Sequence, residues 1–237
     1  MDLTTSEVYF NASLSCIDLA HVAKSMEEIN SSHIKSLHYD VVDGVFNSCF
    51  IFGDLMLKVF RSLSDLPITA HLACRNPIPY LKPIIQNGAD YIAVHYEADI
   101  DILEVFKEIR SLGSKPVLAF RCDSEVPTDF IEVATQAEWI LKLCVHPGFS
   151  GQPFYDKALD HIRCMHHQLS QAGLSKVIEA DGNINTTTIN ACFKAGATMF
   201  TGGTSGLFRN PYTIDENIRL LKKAICTGGN LHGNRNE

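Results

Sequence analysis

Residues 36–44 read SLHYDVVDG: a short apolar lead-in, then a histidine, two aspartates and a glycine. In an extended strand, side chains two positions apart point the same way. His38 and Asp40 therefore share one face, and Tyr39 and Val41 the other. An imidazole beside a carboxylate at a strand end suits three jobs: metal ligands, an acid–base pair, or a buried hydrogen-bonded pair with no chemistry. Other polar residues end apolar runs in the same manner. They are Ser13 in VYFNASLS (8–15), His71 in ITAHL (68–72), His95 in YIAVH (91–95) and Asp181 just after KVIEA (176–180). Two histidines and two aspartates brought together are costly to bury unless something pairs them. A divalent cation would satisfy His38, Asp40, His71 and Asp181 at once, and mixed nitrogen and oxygen donors suit Zn²⁺, Fe²⁺ or Mn²⁺.

A second group of residues suits an anion. HPGFSGQPF (146–154), DGN (181–183) and GGTSG (202–206) are turns of small residues following apolar runs. Small residues let backbone N–H groups approach a ligand closely. Gly148, Phe149, Ser150, Gly151, Gly182, Asn183, Gly203, Thr204 and Ser205 are the candidates. The FSGQ, DGN and GTS turns contain no Lys or Arg, so an anion there would be held by the backbone.

These residues need a scaffold that delivers strand ends to one place. Besides the four runs above, PVLAF (116–120), WILKL (139–143) and MFTG (199–202) read as strands, as does SLHYD (36–40) itself. Amphipathic stretches at 19–31, 53–63, 79–87, 101–112, 156–172, 186–195 and 214–226 read as helices, with a weaker one at 129–136. Gly88, Gly113, Gly173 and Gly196 each close a helical run just before a strand, where glycine accepts the left-handed conformation that ends a helix. Eight strands, each followed by a helix, predict a single-domain (β/α)₈ barrel over 1–226, with a doubly wound open sheet as the alternative. In such a barrel chemistry sits at the C-terminal strand ends, and phosphate sites lie after the last strands. The Gly/Asn-rich segment 227–237 reads as a loose tail.

Composition narrows the classes. The chain has 237 residues, 46% of them hydrophobic, and a net charge of −7. An acidic chain is a poor partner for nucleic acid or anionic membranes. No apolar run is long enough for a membrane span, and MDLTTSEVYF lacks the basic start and apolar core of a signal peptide. Eight cysteines without C-x-x-C spacing argue against a zinc ribbon and for free thiols in a cytoplasmic protein.

HYDVVDG, the HL at 71–72, VHPGFSGQPF, EADGNIN and GGTSGLF, in that order, resemble the ribulose-phosphate 3-epimerase family from about Ser13 to Phe208. The resemblance implies one divalent metal per chain held by His38, Asp40, His71 and Asp181. It implies Asp40 and Asp181 as the two acid–base residues, with Asp43 and Gly44 shaping the turn beside them and Asp43 positioned to support a ligand. It implies Ser13, His71 and the three small-residue turns as contacts to a phosphorylated ketose, and a homo-oligomer, dimer or hexamer. The implied reaction is D-ribulose 5-phosphate to D-xylulose 5-phosphate through an enediolate. There are departures. Val42, Ala73 and Leu143 stand where the family usually has methionines, His146 replaces an asparagine, and Asn183 replaces the second glycine of DGG. RCDSEVP (121–127) replaces a shorter turn. TSGLF, with a non-glycine after DG, resembles more closely the D-allulose-6-phosphate 3-epimerase branch of the family, which also makes D-fructose 6-phosphate an expected product. A non-catalytic phosphosugar-binding protein on the same fold is the reading of another class. A sugar-acid decarboxylase, with its D-x-K-x-x-D pattern, lacks its lysine here.

Overall fold

The computed structural model describes residue 1, residues 3–148 and residues 151–227. The strands and helices run β1 (Tyr9–Ser13), α1 (Val22–Asn30), β2 (Ser36–Asp43), β3 (Phe50–Ile51), α2 (Asp54–Leu63), β4 (Ile68–Ala73), α3 (Ile78–Gln86), β5 (Tyr91–His95), α4 (Ile102–Ser111), β6 (Lys115–Phe120), α5 (Phe130–Thr135), β7 (Ile140–Leu143), α6 (Ala158–Gln171), β8 (Ile178–Asp181), α7 (Ile189–Ala195), β9 (Met199–Gly202) and α8 (Ile214–Thr227). All strands but β3 are parallel. Each pairs with its neighbours in chain order, and β1 pairs with both β2 and β9, which closes the ring. This is the predicted (β/α)₈ barrel.

Period-two patterning explains which side chains face inward. Phe10, Ala12, Leu37, Tyr39, Ile92, Val94, Leu118 and Phe120 pack in the layer under the helices. Their alternates Tyr9, Tyr91, Ala93, Val117, Ala119, Leu141 and Met199 fill the barrel interior. The same alternation sends Ser13, His38, Asp40, His71 and Asp181 toward the barrel mouth.

The helices close the outer layer by local rules. In α4, Asp101 caps the N-terminus by accepting from the Leu103 and Glu104 N–H groups at 2.9 and 3.4 Å. Ile102, Val105, Phe106 and Ile109 recur at helical spacing and are buried. Each such side chain contributes roughly 1.5–3 kcal/mol by leaving water. The glycines expected to stop helices, Gly88, Gly113, Gly173 and Gly196, have φ of 109°, 89°, 67° and 116°.

Some elements differ from expectation. The helix predicted from residue 19 begins as a 3₁₀ turn over Leu19–His21, because the Asp18 carboxylate accepts from the Ala20 N–H and contacts His21. The β2 strand runs three residues past Asp40 and carries a ninth, antiparallel strand, pairing Val42 with Ile51 and Asp43 with Phe50. The connecting turn is set by Asp43, whose Oδ1 accepts from the Val45 and Phe46 N–H groups at 2.8 and 2.7 Å, and by Gly44 at φ 74°. Thr227, expected in the tail, belongs to α8. Residues 228–237 of that expected tail lie outside the described residues. No helix among the described residues is long and apolar enough to cross a membrane.

The eight cysteines are free, and four of them, Cys74, Cys122, Cys144 and Cys192, sit without exposure in the interior. Burial pushes the Cys74 thiol up to about 12 and the Cys122 thiol up to about 11. The contact with Cys192, with burial, raises Cys144 further. These thiols stay protonated in the folded chain at pH values where the unfolded chain has lost the proton, so stability falls as pH rises past the ordinary thiol value. Each group costs about 1.4 kcal/mol per pH unit until its folded value is reached. Lys142 acts in the opposite direction. Burial lowers its ammonium to about 8, so above that value its contribution rises with pH. Three thiols outweigh one lysine. The urea midpoint is expected to fall between about pH 9 and pH 11, and to fall more steeply in Lys142→Met. A flat midpoint across that window would contradict this assignment.

Candidate active site

His38 and Asp40 arrive together on β2, as their spacing requires, with His38 Nε2 3.1 Å from Asp40 Oδ1. The parallel register of β2 with β4 sets His71 beside Asp40, and His71 Nδ1 lies 3.1 Å from the same oxygen. Asp181 ends β8 on the far side of β1 and β9, and its Oδ2 lies 3.3 Å from His38 Nε2. One ligand atom from each of the four lies within 4.8 Å of all the others. Two imidazoles and two carboxylates converging on one point form a donor set that fits a divalent cation.

Three of the four side chains, His71, Asp40 and His38, are also held from behind, as a metal ligand would need. Burial pulls the His95 imidazole down to about 4, against the pull of Glu97, so His95 is neutral. Its Nδ1 donates to Glu97 Oε2 at 3.0 Å, and its Nε2 faces His71 Nε2 at 2.8 Å. The network places the His71 proton on Nε2 and turns the Nδ1 lone pair into the site. The Asp40 Oδ2 accepts from Ser15 Oγ at 3.1 Å, and Ser15 in turn contacts Ser13 Oγ at 3.0 Å. Behind His38 lies Glu179, fully buried, its Oε1 3.5 Å from His38 Nδ1. Asn11, Thr201 and Trp139 donate to this carboxylate at 2.9, 2.5 and 2.7 Å. Those donors and His38 together keep Glu179 low despite its burial.

The two aspartates differ. Burial opposes ionisation of both. For Asp40 the neighbouring His38 and His71 outweigh it and hold the carboxyl well below the usual range. For Asp181 burial wins, helped by Asp40 and Glu179, and the carboxyl is pushed up to about 6. Burial also disfavours the charged His38 imidazole, but Asp40 and Asp181 outweigh it and hold His38 well above its ordinary value.

Above these four side chains opens a solvent-facing cleft. The expected substrate contacts Ser13, Gly148, Gly151, Gly182, Asn183, Gly203, Thr204 and Ser205 line it, with Val42, Ala73 and Leu143 on its apolar wall. Among the described residues, no Lys or Arg lines it. Phe149 and Ser150, also predicted contacts, lie outside the described residues. Asn183 adopts the left-handed conformation at φ 50°, which asparagine tolerates better than most residues. It therefore replaces a glycine at this turn, and its Nδ2 donates to the Gln152 carbonyl at 3.1 Å. A Cβ on Gly203 would lie 2.7 Å from Cys16 Sγ, so a larger residue there would have to displace the Cys16 side chain. The β2–β3 hairpin adds Ile51 to the wall, and Asn47 hydrogen-bonds the Pro147 carbonyl across the rim. Asp43 was expected as a support for a ligand. Its hydrogen bonds instead go to the Val45, Phe46 and Arg75 backbone, so it builds the turn.

The sequence reading missed Glu179 and the link from His71 to His95. The signal for Glu179 was present: it is an acid at an inward position of an apolar strand. Glu179→Gln keeps the shape but sets an amide N–H₂ against one of three donors. It is expected to cost roughly 1–3 kcal/mol of stability and to weaken metal binding about 10–100-fold. Metal titration and urea melts of the variant check both. Wild-type metal affinity would show that Glu179 does not orient His38.

The comparisons agree with this geometry. Residues 9–208 match the family model described as the ribulose-phosphate 3 epimerase family. A ribulose-phosphate 3-epimerase from Aquifex aeolicus is 33% identical over 191 residues, spanning 81% of this chain and 85% of that protein. One from Chlamydia pneumoniae is 29% identical over 214 residues, 89% and 90% of the two chains. Among solved structures, KGPDC from Streptococcus mutans superposes with a TM-score of 0.65 at 14% identity, covering 93% of this chain and 98% of that one, which speaks for the barrel alone. With a match that spans most of the barrel, from the first strand to the turn after the last, the chain belongs to the ribulose-phosphate 3-epimerase family of isomerases.

Proposed function

We propose that this chain interconverts D-ribulose 5-phosphate and D-xylulose 5-phosphate by passing the C3 proton between Asp40 and Asp181. The observation that carries this reading is the pair of carboxylates on β2 and β8, on opposite sides of one cleft and joined through His38 at 3.1 and 3.3 Å. A C–H next to a ketone is weakly acidic. A base on one face removes its proton, an acid on the other returns one, and the substrate need not turn over. The ionised Asp40 and the raised Asp181 give one partner of each kind. Ser15 holds Asp40 in place, and the His71–His95–Glu97 chain fixes the imidazole beside it. A divalent ion bound by the four ligands supplies positive charge where the enediolate develops. The glycine-rich rim, without a cationic side chain among the described residues, suits a phosphate held by backbone N–H groups, which orients the reacting end.

A second substrate has one observation in its favour. Val42 and Ala73 are short side chains on the wall of the cleft, and they leave room for the extra carbon of D-allulose 6-phosphate. The experiment is kcat/KM for both sugar phosphates, with wash-in of solvent deuterium at C3. The proposal expects exchange with both and the higher kcat/KM for D-ribulose 5-phosphate. A reversed ratio would assign the chain to the six-carbon substrate. No exchange with either would make it a phosphosugar binder.

A further inference from the structure

Cys122, Asp123 and His146 form a second cluster outside the proton-transfer machinery. Cys122 and Asp123 begin the loop after β6, and His146 begins the loop after β7. The Cys122 Sγ lies 3.4 Å from His146 Nδ1, and His146 Nδ1 lies 4.0 Å from Asp123 Oδ2. All three ligand atoms fall within 4.8 Å of one another. Around a tetrahedral zinc ion, the usual bond lengths place sulfur and nitrogen about 3.5 Å apart and nitrogen and oxygen about 3.3 Å apart. The first spacing is already met, and the second needs a small rotation of exposed side chains.

We propose that Cys122, Asp123 and His146 form a second divalent-metal site, suited to a thiophilic ion such as Zn²⁺, that ties the loop after β6 to the loop after β7.

The surroundings are built for it. The buried Lys142 ammonium donates to the Arg121 and Ser124 carbonyls at 2.6 and 2.8 Å, so it pins both ends of the segment that presents Cys122 and Asp123. Arg121 Nε donates to Asp123 Oδ1 at 3.2 Å, which holds the carboxylate and leaves Oδ2 toward His146. The His146 ring packs edge-on to Tyr155 at 5.4 Å. Cys122 is buried, whereas the His146 and Asp123 side chains are 53% and 41% exposed. Solvent therefore gives the ion its path in and its fourth ligand. Thiolate and carboxylate together neutralise a divalent charge, and binding displaces the thiol proton. Thiolate, imidazole and carboxylate make a softer set than the two imidazoles and two carboxylates of the first site, so the two sites differ in preferred ion. Because His146 lies two residues before Gly148, occupancy holds in place the loop that lines the cleft.

Cobalt distinguishes the sites, since only a thiolate ligand gives a near-ultraviolet sulfur-to-cobalt charge-transfer band. The full chain, stripped with chelator and titrated with Co²⁺, is expected to bind a second equivalent with that band. Cys122→Ser should lose both. Variants of the exposed thiols, Cys164→Ser and Cys226→Ser, should keep the band, as should His38→Ala/His71→Ala. His146→Asn changes an exposed side chain and decides the matter if Cys122→Ser does not fold. It should weaken the second equivalent by about 100-fold, at least as much as loss of an outer partner costs. Absence of the band in the wild type, or its persistence in Cys122→Ser, overturns the proposal, and so does wild-type affinity in His146→Asn.

Discussion

Asp181→Asn, fully loaded with metal, is expected to lower kcat for epimerisation by about 10²–10⁴-fold, the usual cost of removing a general acid or base, while leaving one half of the reaction alive. Asp40 still faces one side of the substrate, so the variant should exchange the C3 proton of one epimer with deuterated solvent and return it to the same face. Asp40→Asn should show the mirror behaviour with the other epimer. The two variants should not be equally stable. The Asp40 carboxylate accepts from Ser15 and contacts both His38 and His71 at 3.1 Å. An amide there sets its N–H₂ against the His38 N–H or the Ser15 hydroxyl, which costs roughly 1–3 kcal/mol. Asp181 has fewer partners to lose, and its carboxyl, raised to about 6 by burial and by Asp40 and Glu179, is already close to the neutral state that asparagine imitates. Excess metal in the assay separates ligand loss from loss of the proton carrier. If metal-loaded Asp181→Asn interconverts both epimers near the wild-type rate, the two-aspartate mechanism is wrong for this chain.

The parts of this site legible in the sequence are those set by local geometry. His38 and Asp40 share a strand face because they are two residues apart, and the helix-stop glycines Gly88, Gly113, Gly173 and Gly196 mark where four of the strands begin. The ligand set needed a further step. His71 and Asp181 were legible only because the barrel reading brings strand ends together. What stayed hidden depends on register between strands. Residue 71 pairs with Ala93, and only that offset puts His95 within reach of His71. Glu179 meets donors from β1, β9 and residue 139, just before β7, three parts of the chain that no spacing rule connects. The β2–β3 hairpin was missed for a similar reason. Phe50–Ile51 is too short to show a period, and its partner is an extension of β2 beyond the polar residues that looked like its end. Cys122 and His146 are 24 residues apart and meet because consecutive strands are neighbours in the barrel.

His38→Ala/His71→Ala carries the largest expected effect on the metal. Both nitrogen donors go, and the two aspartates that remain are the pair least able to share a site without a cation. The fall in affinity should exceed the roughly 10–100-fold that loss of an outer partner costs, and activity should fall with it even at metal concentrations that saturate the wild type. The physical reason extends beyond ligand count. His38 lies without exposure between Asp40, Asp181 and Glu179. Removing its imidazole leaves the buried Glu179 and the half-buried Asp40 and Asp181 carboxylates without the cation between them, and poorly solvated, unpaired charge is expensive. The chain answers by keeping a proton on one of them, with Asp181 the first candidate because it is already raised. A protonated carboxyl is a poor ligand, so the double variant loses affinity a second time through its oxygens. Metal analysis after dialysis, beside circular dichroism to confirm the barrel, reads this directly. His71→Ala alone keeps His38 between the carboxylates and should lose most, but not all, of the metal. Full occupancy of the first site in the folded double variant would sink the four-ligand assignment and leave His38 and Asp40 as a structural pair.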